Sequence, residues 1–308
     1  MKKTLSFLLI LSLCLMILFG CSTPDSEMTE PKAGGQDTAD ATPTPAAAGP
    51  LKVHFIYVGQ GDASFIEFPD GQTMLIDAGP AEQGAKVVDY ISSLGYTKID
   101  YVVGTHPHTD HIGGLLDVLR SFDIGSVYMP DAPSEVKTYA DLMQLIQENG
   151  LTLVTAAKDV EIKPGFAVIL APEQISKDMN DNSAVVRVTY GNTNFLFMGD
   201  ASKNVEGQLA GDIKADVLKV GNHGSSYASS PEFIARVSPK IAVIPCGKNN
   251  QYKLPNGITI KTLRDAGAKI YETSLNGNVT VTSDGTNVTA DSEALPDEEL
   301  DKQEKNIK

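Results

Sequence analysis

His106-Pro107-His108-Thr109-Asp110-His111 places three of the chain's five histidines and one aspartate within six residues. Imidazole and carboxylate together suit zinc, manganese or iron. On a loop leaving a strand, His106 and His108 alternate toward one point. A following turn offers Asp110 and His111 to a second point nearby. Pro107 stiffens the loop, and Gly113-Gly114 lets the backbone turn into the next helix. A lone histidine is commonly a satisfied core residue, but so dense a cluster reads as a metal centre.

Working outward, residues 101–103 form a short buried strand that delivers the cluster. From Gly113 the spacing of Leu115, Leu116, Val118 and Leu119 is helical. Upstream, residues 51–58 are a β-rich run broken by Gly59-Gln60-Gly61-Asp62. Short strands at 63–68 and 73–76 flank a turn at Pro69-Asp70-Gly71. Residues 82–94 carry Val87, Val88, Ile91 and Leu94 on one helical face and stop at Gly95. The second half repeats this logic. Strands at 184–189 and 193–197 end at Met198-Gly199-Asp200, and a helix covers 203–209. A strand at 217–220 runs into Gly221-Asn222-His223-Gly224-Ser225-Ser226. A strand at 241–244, a helix at 258–266 and strands near 269–271 and 278–282 follow. Alternating strands and helices with interspersed hairpins predict an α/β (α+β) domain. Its two mixed sheets pack face to face with helices outside, a four-layer αββα sandwich. Asp200 and His223 each follow a strand, where a carboxylate can bridge two ions and an imidazole can complete one. His54 alternates with apolar neighbours and reads as structural. Cys246, in an apolar strand, reads as a buried core thiol.

The formal charge is −14. Residues 51–290 hold 19 Lys and Arg against 27 Asp and Glu, so about half the excess lies in the flanks. An acidic domain argues against broad non-specific nucleic-acid binding, though not against a small pocket for one phosphate. Three cysteines make no disulfide framework.

Lys2 and Lys3 precede an almost wholly apolar run from Leu5 to Phe19, and the composition turns polar after Gly20-Cys21. This layout predicts an export signal over residues 1–21. Leu18-Phe19-Gly20-Cys21 resembles a bacterial lipobox, whose cysteine carries lipid. The expected place is the extracellular face of the cell membrane, with lipid attached through Cys21. Residues 22–50, rich in Thr, Pro and Ala, read as a disordered linker, and residues 291–308 as an acidic disordered tail. The hydrolase domain spans 51–290. No protein partner is read from the sequence.

His-x-His-x-Asp-His followed by Gly-Gly resembles the hallmark of the metallo-β-lactamase superfamily. Leu75-Ile76-Asp77-Ala78-Gly79 is similar to its first motif, and Asp200 and His223 to its fourth and fifth. Tyr57-Val58-Gly59-Gln60-Gly61-Asp62-Ala63 and Asp216-Val217-Leu218-Lys219-Val220, with Asn222-His223-Gly224-Ser225, resemble more closely the extracellular hydrolase domain of ComEC and its free-standing relatives. The resemblance implies a metallo-β-lactamase fold and two divalent metal ions, zinc or manganese. The ligands it implies are His106, His108, Asp110, His111, Asp200 and His223. The superfamily's usual further histidine is missing. His106, His108 and Asp200 then hold the first ion, with Asp178, Asn180 or Asp181 as further candidates. Tyr57, Asn222 and Leu254-Pro255 depart from the ComEC-like pattern at three more places.

Two close cations lower the pKa of a bound water and supply hydroxide near neutral pH. Asp110 belongs to that catalytic centre. Asp62 and Asp77 orient ligands or water, and direct contact of Asp62 with an ion stays open. The expected activity is metal-dependent cleavage of a phosphodiester in nucleic acid such as DNA, a nucleotide or a phosphorylated wall polymer. Ser225 and Ser226, with Lys248 and Lys253 from a locally basic stretch, are the expected phosphate contacts. The alternatives are a lactone, amide or thioester hydrolase of the same fold, and a non-catalytic binding lipoprotein.

Overall fold

The computed structural model describes residues 49–306 of the protein. The expected signal segment, Cys21 and nearly all of the linker lie outside the described residues. From Leu51 the chain forms β1 (Leu51–Phe55), β2 (Ala63–Glu67), β3 (Thr73–Ala78), β4 (Lys98–Val103), β5 (Asp123–Met129), β6 (Thr152–Thr155), β7 (Glu161–Lys163) and β8 (Ala167–Ala171). It continues with β9 (Val185–Tyr190), β10 (Thr193–Phe197), β11 (Val217–Lys219), β12 (Ile241–Ile244), β13 (Lys269–Glu272), β14 (Val279–Ser283) and β15 (Val288–Ala290). Residues 123–171, to which the sequence pattern assigns no element, supply β5 to β8 and a helix at Lys137–Glu148.

The strands make two sheets, ordered β15-β14-β1-β2-β3-β4-β5-β6 and β13-β12-β11-β10-β9-β8-β7. Each is mixed. β3 to β6 are mutually parallel, as are β10 to β13, and the remaining pairs are antiparallel. Side chains alternate across each strand. Phe195 and Phe197 of β10, Val217 of β11 and Val243 of β12 therefore meet Val53 and Phe55 of β1 between the sheets. The Phe55 and Phe197 rings stack there at 6.1 Å.

Leu196, Leu218 and Ala242 point the other way. They bury under helices Lys203–Gln208, Pro231–Val237 and Gly257–Asp265. Phe65, Leu75 and Val102 do the same under helices Gly84–Ser93, Leu115–Ser121 and Lys137–Glu148. Three apolar clusters between four layers make the expected αββα sandwich. Because β10 and β12 are covered on both faces, Phe195-Leu196-Phe197 and Ile241-Ala242-Val243-Ile244 read as continuous apolar runs rather than alternating ones.

His54 lies on the outer face of β1. It bonds the Tyr90 hydroxyl at 3.0 Å and Glu67 at 2.6 Å, a structural role as its pattern predicts. Cys246 is fully buried, and burial pushes its thiol pKa up.

The acidic tail is a correction. Asp297–Glu304 is a helix rather than disordered chain, and it docks on helix Gly257–Asp265. Arg264 pairs with Asp297 at 3.0 Å, Asp301 at 2.7 Å and Glu304 at 3.1 Å, while Leu300 is buried. Composition counts the acidic charges but cannot see that one arginine faces three of them. Past this helix, Asn306 Nδ2 donates to the carbonyls of Lys253 at 2.7 Å and Pro255 at 3.1 Å, and its own carbonyl accepts from the Gly257 N–H at 2.9 Å.

Candidate metal centre

The two parallel halves end at the same place, and the donors leave their carboxyl ends. Such strand ends are where open α/β sheets bind ligands. Asp77 closes β3, and Thr105 and His106 follow β4. His108 precedes the short helix Thr109–Ile112, which carries Asp110 and His111. Asp200 follows β10. Lys219 ends β11, and His223 sits in the turn at Gly221–Gly224. Asp62 enters from the loop before β2.

Two glycines permit this convergence. A Cβ on Gly61 would run into the Asp110 carbonyl oxygen, and one on Gly114 into that of Ala78. At the first contact the Asp62 N–H bonds the Asp110 carbonyl at 3.2 Å.

Hydrogen bonds fix which nitrogen each histidine presents. Asp77, a residue type that tolerates its left-handed φ of 57°, accepts the Thr105 N–H at 2.8 Å and the Thr105 hydroxyl at 2.7 Å. It also accepts His111 Nδ1 at 2.9 Å. Having donated its only hydroxyl proton, Thr105 accepts from His106 Nδ1 at 3.1 Å. His223 Nδ1 donates to the Pro245 carbonyl at 3.0 Å. All three rings therefore turn Nε2 inward, as metal-ligating imidazoles held by an outer partner do.

On that inner side, His111 Nε2 lies 3.3 Å from Asp200 Oδ1. His223 Nε2 lies 3.5 Å from Asp200 Oδ2 and 3.3 Å from Asp110 Oδ2. His106 Nε2 is 4.0 Å from Asp200 Oδ2 and 3.0 Å from His108 Nδ1. Two donor groups result, His106, His108 and Asp200 on one side and Asp62, His111, Asp200 and His223 on the other, with the donor atoms of each group within 4.8 Å of one another. Asp200 belongs to both.

Within the second group Asp62 differs from the rest. It approaches His223 at Nδ1, 3.2 Å away, and His111 at Nδ1, 3.8 Å away, the edges that face away from Asp200. Its Oδ2, the oxygen on the His111 side, is taken by the Lys219 ammonium, which also donates to the Gly199 carbonyl at 2.8 Å. Asp62 therefore backs the histidines, and Asp110 is the carboxylate that meets His223 on the inner side.

The charges are strongly coupled. Burial opposes a proton on His111 and His223, but the carboxylates of Asp200 and Asp62 outweigh it. His111 is held well above the usual imidazole range and His223 is pushed up to about 10. Burial and the neighbouring His111 hold His106 well below that range. Burial also works against ionised Asp200, yet His223 and His111 keep its pKa well below the ordinary carboxylate value.

His111 Nε2, His223 Nε2, Asp200 Oδ1 and Asp62 Oδ1 are buried without a hydrogen-bond partner. Buried polar atoms left unsatisfied call for a ligand. Imidazole nitrogens and carboxylate oxygens converging at this spacing fit a pair of divalent cations.

The profile of the metallo-β-lactamase superfamily matches residues 56–248, well over half of the chain. The chain belongs to the metallo-β-lactamase superfamily. It is similar to ComE operon protein 3 of Bacillus subtilis, 29% identical in an alignment of 251 residues that covers 74% of this chain and 32% of that one. It is also similar to Recombination protein 2 of Haemophilus influenzae, 28% identical over 75% of this chain and 28% of the other. Competence protein ComA of Neisseria gonorrhoeae is 28% identical over 66% of this chain and 28% of its own length. The chain thus spans about a third of the length of these relatives, and the ComEC-like resemblance is borne out.

Among solved structures, CmlA, a diiron β-hydroxylase from Streptomyces venezuelae, superposes with a TM-score of 0.51 at 16% identity, over 79% of this chain and 55% of that one. The metallo-β-lactamase fold protein YhfI from Bacillus subtilis does so with a TM-score of 0.50 at 14% identity, over 73% and 96%. These last two likenesses concern the fold alone.

The metallo-β-lactamase centre opens on a cavity of about 660 Å³. His108, Asp110, Asp200 and His223 reach it, as do the expected Ser225 and Ser226. Of the three candidates for a further donor at the first ion, Asn180 lines it, and its side-chain oxygen is buried without a partner. Asp178 and Asp181 do not line it.

Lys248 and Lys253 are not brought to the cavity. Both are exposed, and Tyr252 and Leu254 of the same loop face it instead. Much of the surrounding basic stretch is spent within the domain, Lys240 on Asp216, Lys261 on Asp265 and Arg264 on the C-terminal helix.

Sequence reasoning missed Lys219, Thr105 and Ser183. Ser183 Oγ accepts the Asp200 N–H at 2.9 Å and lies 3.4 Å from His106 Nδ1. For Lys219 the available signals were a charge inside an apolar strand pattern and its place in the ComEC-like stretch Asp216-Val217-Leu218-Lys219-Val220.

Proposed function

We propose that the chain is a metal-dependent hydrolase that cleaves phosphodiester bonds. The observation that carries this reading is a single carboxylate, Asp200, shared between two buried donor groups at the floor of an open polar cavity. Zinc or manganese bound there would supply an activated water and neutralise charge building on the attacked group. His106, His108 and Asp200 would hold one ion. Asp110, His111, Asp200 and His223 would hold the other. Asp77 and Asp62 fix the imidazoles from behind.

Hydrolysis there would join a water oxygen to phosphorus and break the phosphorus–oxygen ester bond, and the departing oxygen would take up a proton. Asp110, whose side chain is 34% exposed, relays that proton between the centre and solvent. Ser225 and Ser226 hydrogen-bond the non-bridging oxygens. Neither is the nucleophile. The Ser225 hydroxyl is engaged by the Tyr227 N–H at 3.2 Å, and no histidine bonds it.

The test is a panel on metal-loaded protein. A generic phosphodiester should be turned over, turnover should stop with chelator, and added zinc or manganese should restore it. Turnover of a lactam, lactone or thioester with no phosphodiester cleavage would refute the substrate class. Two bound ions with no turnover of anything would make the chain a binding protein.

Lipid attachment through Cys21 at the outer membrane face belongs to the same reading. Leu18-Phe19-Gly20-Cys21 after an apolar run supports it. Cys21→Ser should shift the protein out of the membrane fraction or leave it unprocessed. Unchanged mobility and unchanged lipid labelling would count against it.

A further inference from the structure

Two aromatic rings stand open at the mouth of the cavity. Tyr227 is 77% exposed and Tyr252 59%, and both line it. They come from different loops, and both loops are pinned. The Tyr227 N–H bonds Ser225 Oγ at 3.2 Å, and its carbonyl accepts from the Lys203 N–H at 3.0 Å. The Tyr252 loop is closed by Asn250, whose Nδ2 donates to the carbonyls of Gly247 at 2.8 Å and Leu254 at 2.7 Å and whose Oδ1 accepts the Leu254 N–H at 2.9 Å. Rings presented from fixed loops lose little freedom when a ligand covers them.

The space continues past the metal centre. A second cavity, about 550 Å³, shares Gln60, Thr109, Asp110 and Tyr252 with the first and runs on along Pro80, Gln83 and Gln251. The two adjoin at Asp110 and Tyr252 and make one groove that extends beyond the donor cluster. No lysine or arginine lines either cavity. A groove that tracked a polyanion by charge would be lined with them. Apart from the donor cluster and the Glu82 carboxylate at the outer end, the contacts on offer are uncharged amides and hydroxyls such as Asn180, Asn222, Ser226 and Asn256, and the two rings.

We propose that Tyr227 and Tyr252 are specificity-determining residues that stack on unpaired bases flanking the scissile phosphate, so that the groove selects a single strand by its rings rather than by its charge. This rests on the phosphodiesterase reading and narrows it. A polyol phosphate polymer has no ring to stack, and a duplex keeps its bases paired. The groove binds single-stranded DNA or RNA through the same base faces, and the test separates these two sources.

The chain contains no tryptophan, so Tyr227→Trp or Tyr252→Trp installs a single fluorescent ring at the mouth. On the metal-loaded protein, oligodeoxythymidine and oligouridine should quench it. An abasic strand of equal length and a blunt duplex should not. Alanine at either position should weaken binding of the base-bearing strands by roughly tenfold or more, while phenylalanine should largely retain it. Binding should weaken by less than about tenfold between 50 and 200 mM salt, because only one or two phosphates meet fixed positive charge.

The proposal is overturned if the abasic strand binds as tightly as oligodeoxythymidine, or if both alanine variants bind like the parent. A steep loss with salt would overturn it too. If base-bearing strands bind with the expected signatures but none is cleaved, stacking stands and the phosphodiesterase reading falls. If base-bearing and abasic strands are bound and cleaved alike, the reverse holds. Preference between the thymidine and uridine strands assigns DNA or RNA.

Discussion

Asp200→Ala should lower bound metal from two ions per chain to at most one and abolish turnover. No other side chain belongs to both donor groups. Its Oδ1 faces His111 at 3.3 Å, and its Oδ2 faces His223 at 3.5 Å and His106 at 4.0 Å. Its backbone N–H is anchored by the Ser183 hydroxyl at 2.9 Å. Stabilisation by bound metal is worth several kcal/mol in the transition state, and 1.36 kcal/mol is a factor of ten in rate. The expected loss is on the order of 10³-fold or more. Asp200→Asn, which keeps one oxygen ligand and the shape, should fall between. Elemental analysis of the purified variant decides the matter, and two ions retained in Asp200→Ala would remove the shared-carboxylate picture.

Lys219→Met should cost the metal-free protein about 3–5 kcal/mol of stability, the usual loss when one partner of a buried ion pair is removed. Lys219 is 3% exposed and Asp62 2%, and their charged ends are in direct contact. Burial works against the Asp62 charge, but Lys219, with help from His111 and His223, outweighs it, so its pKa sits below the ordinary carboxylate value. Methionine keeps the apolar stem but leaves that carboxylate without its main counter-charge. A second change, Asp62→Asn, should recover part of the loss, because it removes the orphaned charge. Denaturant unfolding of the parent, both single variants and the double variant measures the coupling. Strict additivity of the two single losses would show that the pair does not interact.

Much of this centre was legible because it is local. Three histidines and an aspartate within one hexapeptide need no tertiary information, and Asp200 and His223 stand where apolar strand runs stop. The sandwich was legible for a related reason. Strands covered on both faces leave uninterrupted apolar stretches such as 195–198 and 241–244, while helices such as Gly84–Ser93 keep their apolar spacing.

What escaped depends on distant partners. Lys219 meets Asp62 across 157 residues of chain. In the sequence it is one charged residue in a strand, whereas in the fold it shares the inner face with Val217. The acidic tail has the composition of disorder, and its helix exists because Arg264 and a site for Leu300 await it. Lys248 and Lys253 made their loop look like a phosphate clamp. Net charge along a segment says nothing about which side chains point inward, and in this loop Tyr252 and Leu254 do.

The bonds from Asn306 to the carbonyls of Lys253 and Pro255 set how the domain can be handled. β1 begins at the far end of the sandwich, where the Gly49 carbonyl accepts the Tyr190 hydroxyl at 2.8 Å, and runs toward the metal centre. Gly49 itself therefore lies at the end opposite the cavity. Asn306 lies beside the loop that carries Tyr252 and Leu254. A substitution at Asn306, rather than one at Gly49, should therefore disturb whatever enters the groove.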